Sequence, residues 1–140
     1  MSAEITVQMI QQSPTTTEGH ARQHTVLIDR PTQSDGTDLG AMGGELFLMA
    51  LGGCFMSNLL AAVRTRQAPI ENIHVDVVGT KAENPTRFSA IKLKITADYE
   101  DGDSLEKLVT VAERGCLVAN SIRSAIALSF EIEPVRDLTR

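Results

Sequence analysis

The chain has 140 residues, of which 42% are hydrophobic and 22% are charged, and its formal net charge is −5 at pH 7. This length suits one domain with a buried core, and the composition excludes a disordered chain and a fibrous repeat. An acidic chain lacks the clustered Lys and Arg that bind nucleic acid or an anionic membrane surface, so neither is expected as a partner. We therefore predict a single domain over residues 1–140.

The N-terminal region is predicted to be β structure followed by a long loop. Residues 5–10 and 24–28 are β-branched runs separated by SPTTTEGH, a turn-forming cluster, which together predict a hairpin. Residues 29–44 are rich in Gly, Asp, Pro and Thr and predict a loop of a length that is often functional. The first ten residues lack a basic start followed by an apolar stretch, so no secretory signal peptide is predicted and a cytoplasmic location is expected.

Residues 46–63 form an uncharged apolar segment, LFLMALGGCFMSNLLAAV, which predicts a helix. It is long enough to nearly cross a bilayer, but Ser57, Asn58 and the Gly52-Gly53 pair argue against a membrane span. Apolar residues occupy every face, which predicts a helix that is buried all round. Because a chain of this size cannot easily cover such a helix alone, we predict a homodimer that buries it.

The C-terminal half is predicted to contain a hairpin, two helices and a last strand. Residues 73–77 and 91–95 alternate apolar and polar side chains, which predicts two amphipathic strands joined by a turn at Asn84-Pro85. Asp103 and Glu106 are spaced as a capping box, which predicts a helix from Asp103 to Gly115. A short helix is expected from Asn120 or Ser121 to residue 126, then a strand at 129–133 and a polar tail. The order ββ-α-ββ-αα-β indicates the α+β class.

Cys54 and Cys116 are the only two cysteines, and their spacing matches neither a zinc knuckle nor a C-x-x-C motif. Both could be buried thiols that act as small apolar residues. However, Cys54 follows Gly52-Gly53, and two glycines inside a helix cost about 1 kcal/mol each relative to alanine, so a close approach of backbone or ligand is expected there. Cys116 follows Gly115 at a predicted helix junction, where a side chain can shift position, as a resolving cysteine must.

The two segments around these cysteines resemble the OsmC/Ohr family of two-cysteine hydroperoxide reductases. ELFLMALGGC, ending at Cys54, is similar to the family pattern of Glu, an apolar run, small residues and Cys, and AERGCLV around Cys116 is similar to the later cysteine segment. The Pro usual shortly before Glu45 is absent, and Leu117 replaces the Pro that often follows the second cysteine. The resemblance is therefore to a divergent OsmC-like branch.

The resemblance implies an α+β intertwined homodimer, with antiparallel sheets packed around a long buried central helix and an active site at the dimer interface. It also implies a thiol-dependent peroxidase that reduces organic hydroperoxides through a Cys54 sulfenic acid and a Cys54–Cys116 disulfide, which a cellular dithiol then reduces. No cofactor is implied. The alternative is a non-catalytic dimeric module that binds a small apolar or acyl ligand at the same interface.

An activated Cys54 needs a lowered pKa, and its position in mid-helix is too far from the helix N-terminus for the dipole alone, so a cation is expected. The family is similar in using an arginine from the N-terminal β region, for which Arg22 and Arg30 are both candidates. Glu45 is the natural partner of that arginine, acting on the partner subunit's site or through an irregular helix start; it could equally be a glutamate favoured by the helix dipole. No metal site is expected, because the three histidines lack ligand spacing.

Overall fold

The computed structural model describes residues 2–133, so the predicted polar tail lies outside the described residues. The described chain forms two compact units, residues 2–47 and 48–133, each with one three-stranded sheet. A long helix begins in the first unit and continues into the second. The mixed α+β class is confirmed, and the single domain stays a prediction.

The first unit holds an antiparallel sheet in chain order, made of β1 (Gln8–Gln11), β2 (Thr17–Ala21) and β3 (His24–Ile28). Strand β3 is confirmed at its predicted position. Strand β2 lies in the segment predicted as a turn, and that prediction was wrong. As the central strand, β2 pairs on both sides, and its Gly19 is buried against Met9 and Val26. Pairing with two neighbours outweighs the turn propensity of its Thr, Glu and Gly residues.

The predicted loop after β3 is confirmed, and a buried carboxylate organises it. Asp29, only 3% exposed, accepts hydrogen bonds from the hydroxyls of Thr16 and Thr37 and from the N–H groups of three loop residues, Arg30, Thr37 and Leu39. The Thr37 hydroxyl does most to hold the pKa of Asp29 well below its usual range, against the opposing effect of burial. The loop is therefore fixed to the end of β3 by one ionised side chain.

Helix α1 (Gly43–Arg66) contains the predicted helix and extends beyond it at both ends. Leu51, Phe55, Leu59 and Ala62 are buried, but Met49 is 58% exposed. Within one chain the helix is thus buried along one side, not all round. Its length and mean hydropathy of 2.0 would allow a membrane span, a property that long core helices of soluble proteins share.

The second unit is built on β4 (Ile70–Ala82), β5 (Arg87–Tyr99) and β6 (Ala127–Ile132), in that spatial order. The predicted antiparallel β4–β5 hairpin is confirmed, whereas β6 pairs parallel to β5, which was not expected. The inward side chains of β5 at 91, 93 and 95 are at most 1% exposed. Phe55 of α1 packs on Phe130 of β6 with ring centroids 5.1 Å apart, so α1 covers this sheet.

Two helices connect β5 to β6: α2 (Gly102–Arg114) and α3 (Leu117–Ile122). The N-cap of α2 is Asp101, which accepts from the Asp103 N–H at 3.0 Å, so the cap predicted at Asp103 was two residues late. The predicted end at Gly115 is confirmed. Helix α3 begins earlier than predicted because Cys116 is its N-cap. Cysteine is not among the usual N-cap residues, so propensity favoured the later Asn120 and Ser121.

Candidate active site

Cys54 is half-buried in the middle of α1, and the two glycines before it have different environments. A Cβ on Gly52 would lie 2.7 Å from Cγ2 of Val77, so the close approach of β4 explains why glycine occupies this position. A Cβ on Gly53 would meet nothing within 4 Å. The close approach expected at the two glycines is therefore found at Gly52, and the approaching group is a side chain rather than backbone or a ligand. Gly53, next to Cys54, has open space around it.

Cys116 lies at the junction of α2 and α3 and is fully buried. Its backbone is extended, with φ −77° and ψ 112°, and its Sγ accepts a hydrogen bond from the Ala119 N–H at 3.5 Å. The side chain therefore has a structural task as the cap of α3 in addition to any chemistry.

The two thiols, far apart in the sequence, lie close enough to influence each other's pKa. Burial acts to raise the pKa of Cys54, but the Val118 N–H, the Cys116 thiol and the Leu117 N–H all donate to its sulfur and together bring the pKa below the ordinary thiol value. The two N–H groups belong to the first turn of α3, where backbone donors have no partner within the helix. The first turn of another helix therefore contributes to the lowered pKa of Cys54.

Cys116 is affected in the opposite direction. Burial raises its pKa most, and the neighbouring Cys54 raises it further, both by accepting a hydrogen bond from the Cys116 thiol and by the repulsion of its negative charge. The N–H groups of Ala119 and Val118 oppose this rise without cancelling it. The more accessible Cys54 therefore has the lower pKa of the pair, and the buried Cys116 has the higher.

Within this chain, neutral hydrogen-bond donors lower the pKa of Cys54 against the effect of burial, and the expected cation stays a prediction. Arg22 is exposed at the turn between β2 and β3, with φ 59°, and Arg30 is exposed beside Asp29. Glu45 lies in the first turn of α1, where its Oε1 accepts from the Met42 N–H at 2.9 Å, as a helix-capping glutamate does. The irregular helix start considered for Glu45 is not seen, and catalytic roles for these three residues stay predictions.

Sequence reasoning missed the donors Leu117 and Val118, because it placed the N-cap of α3 four or five positions too late. The available signal was Gly115 at the end of α2: a helix that starts directly after it presents the unpaired N–H groups of its first turn to side chains nearby. No described residues form a group of three or more His, Cys, Asp or Glu side chains that could hold a metal ion.

A half-buried thiol with a lowered pKa, close to a buried thiol with a raised pKa, is an arrangement suited to thiol–disulfide chemistry. Solved structures share the whole fold. An OsmC-like protein from Mycoplasma pneumoniae superposes with a TM-score of 0.81 at 14% identity, covering 97% of this chain and 100% of that chain. An OsmC-like protein from Vibrio cholerae gives 0.80 at 16% identity, covering 94% and 100%.

An organic hydroperoxide resistance protein from Elizabethkingia anophelis superposes with a TM-score of 0.72 at 15% identity, covering 95% of this chain and 97% of that chain. The family model described as "OsmC-like protein" matches residues 36–131, more than half of the sequence. No curated protein matches the sequence. The chain belongs to the OsmC-like family, as its two cysteine segments indicated.

Proposed function

We propose that this protein is a thiol-dependent peroxidase that reduces organic hydroperoxides with Cys54 and Cys116. The observation that carries the proposal is the contact between the two thiols and their opposite pKa shifts. A structural pair of buried cysteines would have no need of three hydrogen-bond donors directed at one sulfur. Solved structures of similar fold that are organic hydroperoxide resistance proteins support the choice of substrate class.

In the first step the Cys54 thiolate attacks one oxygen of the hydroperoxide, the O–O bond breaks, and an alkoxide leaves and is protonated to the alcohol. Cys54 becomes a sulfenic acid and the peroxide is reduced by two electrons. The open space at Gly53 leaves one side of the Cys54 region free of other groups of this chain. The N–H groups of Leu117 and Val118 lower the pKa of Cys54 and so favour the thiolate that attacks.

In the second step Cys116 attacks the sulfenic sulfur, the S–S bond forms, and hydroxide leaves with the Cys116 proton as water. The first step itself prepares this attack. Conversion of the thiolate to a neutral sulfenic acid removes the negative charge that raises the pKa of Cys116, while the donors Ala119 and Val118 remain. One cause of the raised pKa is thereby removed, so we expect Cys116 to be more reactive after Cys54 is oxidised. A cellular dithiol then reduces the disulfide and is itself oxidised to a disulfide.

The test is mass spectrometry with thiol counting on the reduced protein before and after one equivalent of tert-butyl hydroperoxide. We expect the wild type to lose both thiols to one Cys54–Cys116 bond. We expect Cys116→Ser to accumulate a sulfenic acid on Cys54, and serine can retain the cap of α3. Two unreacted thiols in the wild type would reject the peroxidase and favour the dimeric module that binds an apolar or acyl ligand.

We also propose that the protein is a homodimer whose interface covers the exposed side of α1. Met49 and Leu60, 58% and 42% exposed, are about three helical turns apart and lie on the same face, about 110° around the helix from the buried Phe55 and Leu59. Light scattering should show a dimer for the wild type and a monomer for Met49→Glu. The control Val111→Glu, at an exposed apolar position on α2, should remain dimeric.

A further inference from the structure

Asn58 links the helix that carries Cys54 to the segment that carries Cys116. It is half-buried on α1, one turn after Cys54, between the buried Phe55 and Leu59. Its Nδ2 donates to the carbonyl oxygen of Ala112, in the last turn of α2, at 3.3 Å. Cys54 and Asn58, one turn apart on α1, thus lie against two neighbouring parts of the α2–α3 junction, Cys116 and Ala112.

The Ala112 carbonyl needs a donor from outside its helix. The last carbonyls of a helix lack the regular partner four residues on. In this turn the Gly115 N–H donates to Val111, the Cys116 N–H to Glu113, both at 3.2 Å, and neither donates to Ala112. Because Ala112 is fully buried, its carbonyl cannot rely on water, and the amide of Asn58 supplies the bond.

The same amide also lies against the residue before Cys116. A Cβ built on Gly115 would be 3.4 Å from Nδ2 of Asn58. The segment from Ala112 to Cys116 is one hydrogen-bonded turn, so a shift of Ala112 would carry with it Cys116 and the first N–H groups of α3. Those N–H groups and the Cys116 thiol are the donors that lower the pKa of Cys54.

We infer that Asn58 is a positioning residue for the two-cysteine reaction: its hydrogen bond to Ala112 holds the α2–α3 junction where Cys116 and the α3 N-terminus meet Cys54. This inference rests on the proposed peroxidase function for its biological meaning, but the alignment of the thiols is independent of the oxidant. Loss of the bond lets the junction move away from α1. Disulfide closure, which needs alignment of the two sulfurs, is the step most sensitive to that movement.

Two variants test the role of Asn58. Asn58→Asp keeps the shape of the side chain but cannot donate, and Asn58→Ala removes the amide entirely. The matched control is Thr110→Ala, which deletes a side-chain bond to the Glu106 carbonyl on the exposed side of α2 and has no link to α1. For each variant we would measure the rate of disulfide closure after sulfenic acid formation, the pH profile of Cys54 alkylation, and thermal unfolding.

We expect both Asn58 variants to close the disulfide about tenfold or more slowly than wild type, since misplacement by about 1 Å can cost up to 10²-fold. Their sulfenic acid should live longer and be over-oxidised more to sulfinic acid, and their alkylation profiles should move to higher pH. Thr110→Ala should match wild type. A folded Asn58→Asp that closes within about twofold of the wild-type rate would overturn the inference, because a packing role alone predicts that result.

Diamide separates failure of this inference from failure of the proposed function. Diamide accepts two electrons and two protons as a dithiol becomes a disulfide, so it drives closure without a peroxide. If the wild type ignores hydroperoxides but closes with diamide, and the Asn58 variants close slowly, the peroxidase fails and the positioning role stands. If all variants close equally fast with diamide, the positioning role is rejected whatever the peroxide result.

Discussion

The substitution Leu117→Pro removes one of the N–H groups that hold the Cys54 thiolate and leaves the rest of the site in place. Leu117 is the first residue of α3, the position where proline fits a helix best, and its side chain is 62% exposed, so little packing is lost. The preceding Cys116 already has the extended backbone that a following proline requires. Proline also often follows this cysteine in the family, so the backbone should accommodate it.

The expected size follows from the strength of one hydrogen bond to a charged group. Such a bond contributes roughly 1.5 kcal/mol at the weak end, and Leu117 is the weakest of the three donors to Cys54, so the thiolate-to-thiol ratio should fall about tenfold. A thiolate of higher pKa is intrinsically more nucleophilic, with a Brønsted coefficient of about 0.4–0.5, which recovers about threefold. We therefore expect Leu117→Pro to react about threefold more slowly below the pKa of Cys54 and about threefold faster well above it.

The assay is iodoacetamide alkylation of reduced protein across a pH series, with peptide mass spectrometry to separate Cys54 from Cys116. Leu117→Ala is the control, because it removes the same side chain and keeps the N–H, and its profile should overlay that of the wild type. A Leu117→Pro profile that also overlays the wild type, without the crossing of rates, would refute the claim that the α3 N-terminus activates Cys54.

Two further predictions concern the scaffold. Phe55→Ala empties a fully buried position against Phe130 and should lower the free energy of unfolding by about 3–5 kcal/mol, measured by urea titration. A loss below about 1 kcal/mol would contradict the packing of α1 on β6. Because the folded pKa of Asp29 is depressed, its stabilisation is present above the ordinary Asp pKa of about 4 and is lost as the pH falls from there toward the lowered value. Asp29→Asn weakens the hydrogen bonds from Thr16 and Thr37 and should therefore lower the melting temperature at pH 7. The melting temperature of this variant should also fall less than that of the wild type as the pH is lowered. If it falls equally, other carboxylates are responsible for the loss of stability in acid.

The sequence could predict those elements whose signal is local. Hydrophobic periodicity and turn and capping residues act within a few positions of the chain. They predict the β3 strand, the core of α1, the β4–β5 hairpin and the end of α2 at Gly115. The two cysteine segments indicated the family in the same way. Strand β2 could not be found like this, because its Thr17 and Glu18 favour a turn until two neighbouring strands satisfy the backbone.

The chemistry of the site was decided by tertiary structure. Cys54 and Cys116 are distant in sequence, and only the packing of α1 against the α2–α3 junction brings their sulfurs into contact. The donors Leu117 and Val118 were also hidden, because backbone N–H groups carry no side-chain identity: the sequence pointed to Arg22 or Arg30, whose role stays a prediction, and gave no sign of atoms that every non-proline residue has. What the sequence determined by itself is the family, the two thiols and the main elements; which thiol has the lower pKa depends on groups that only the folded chain places together.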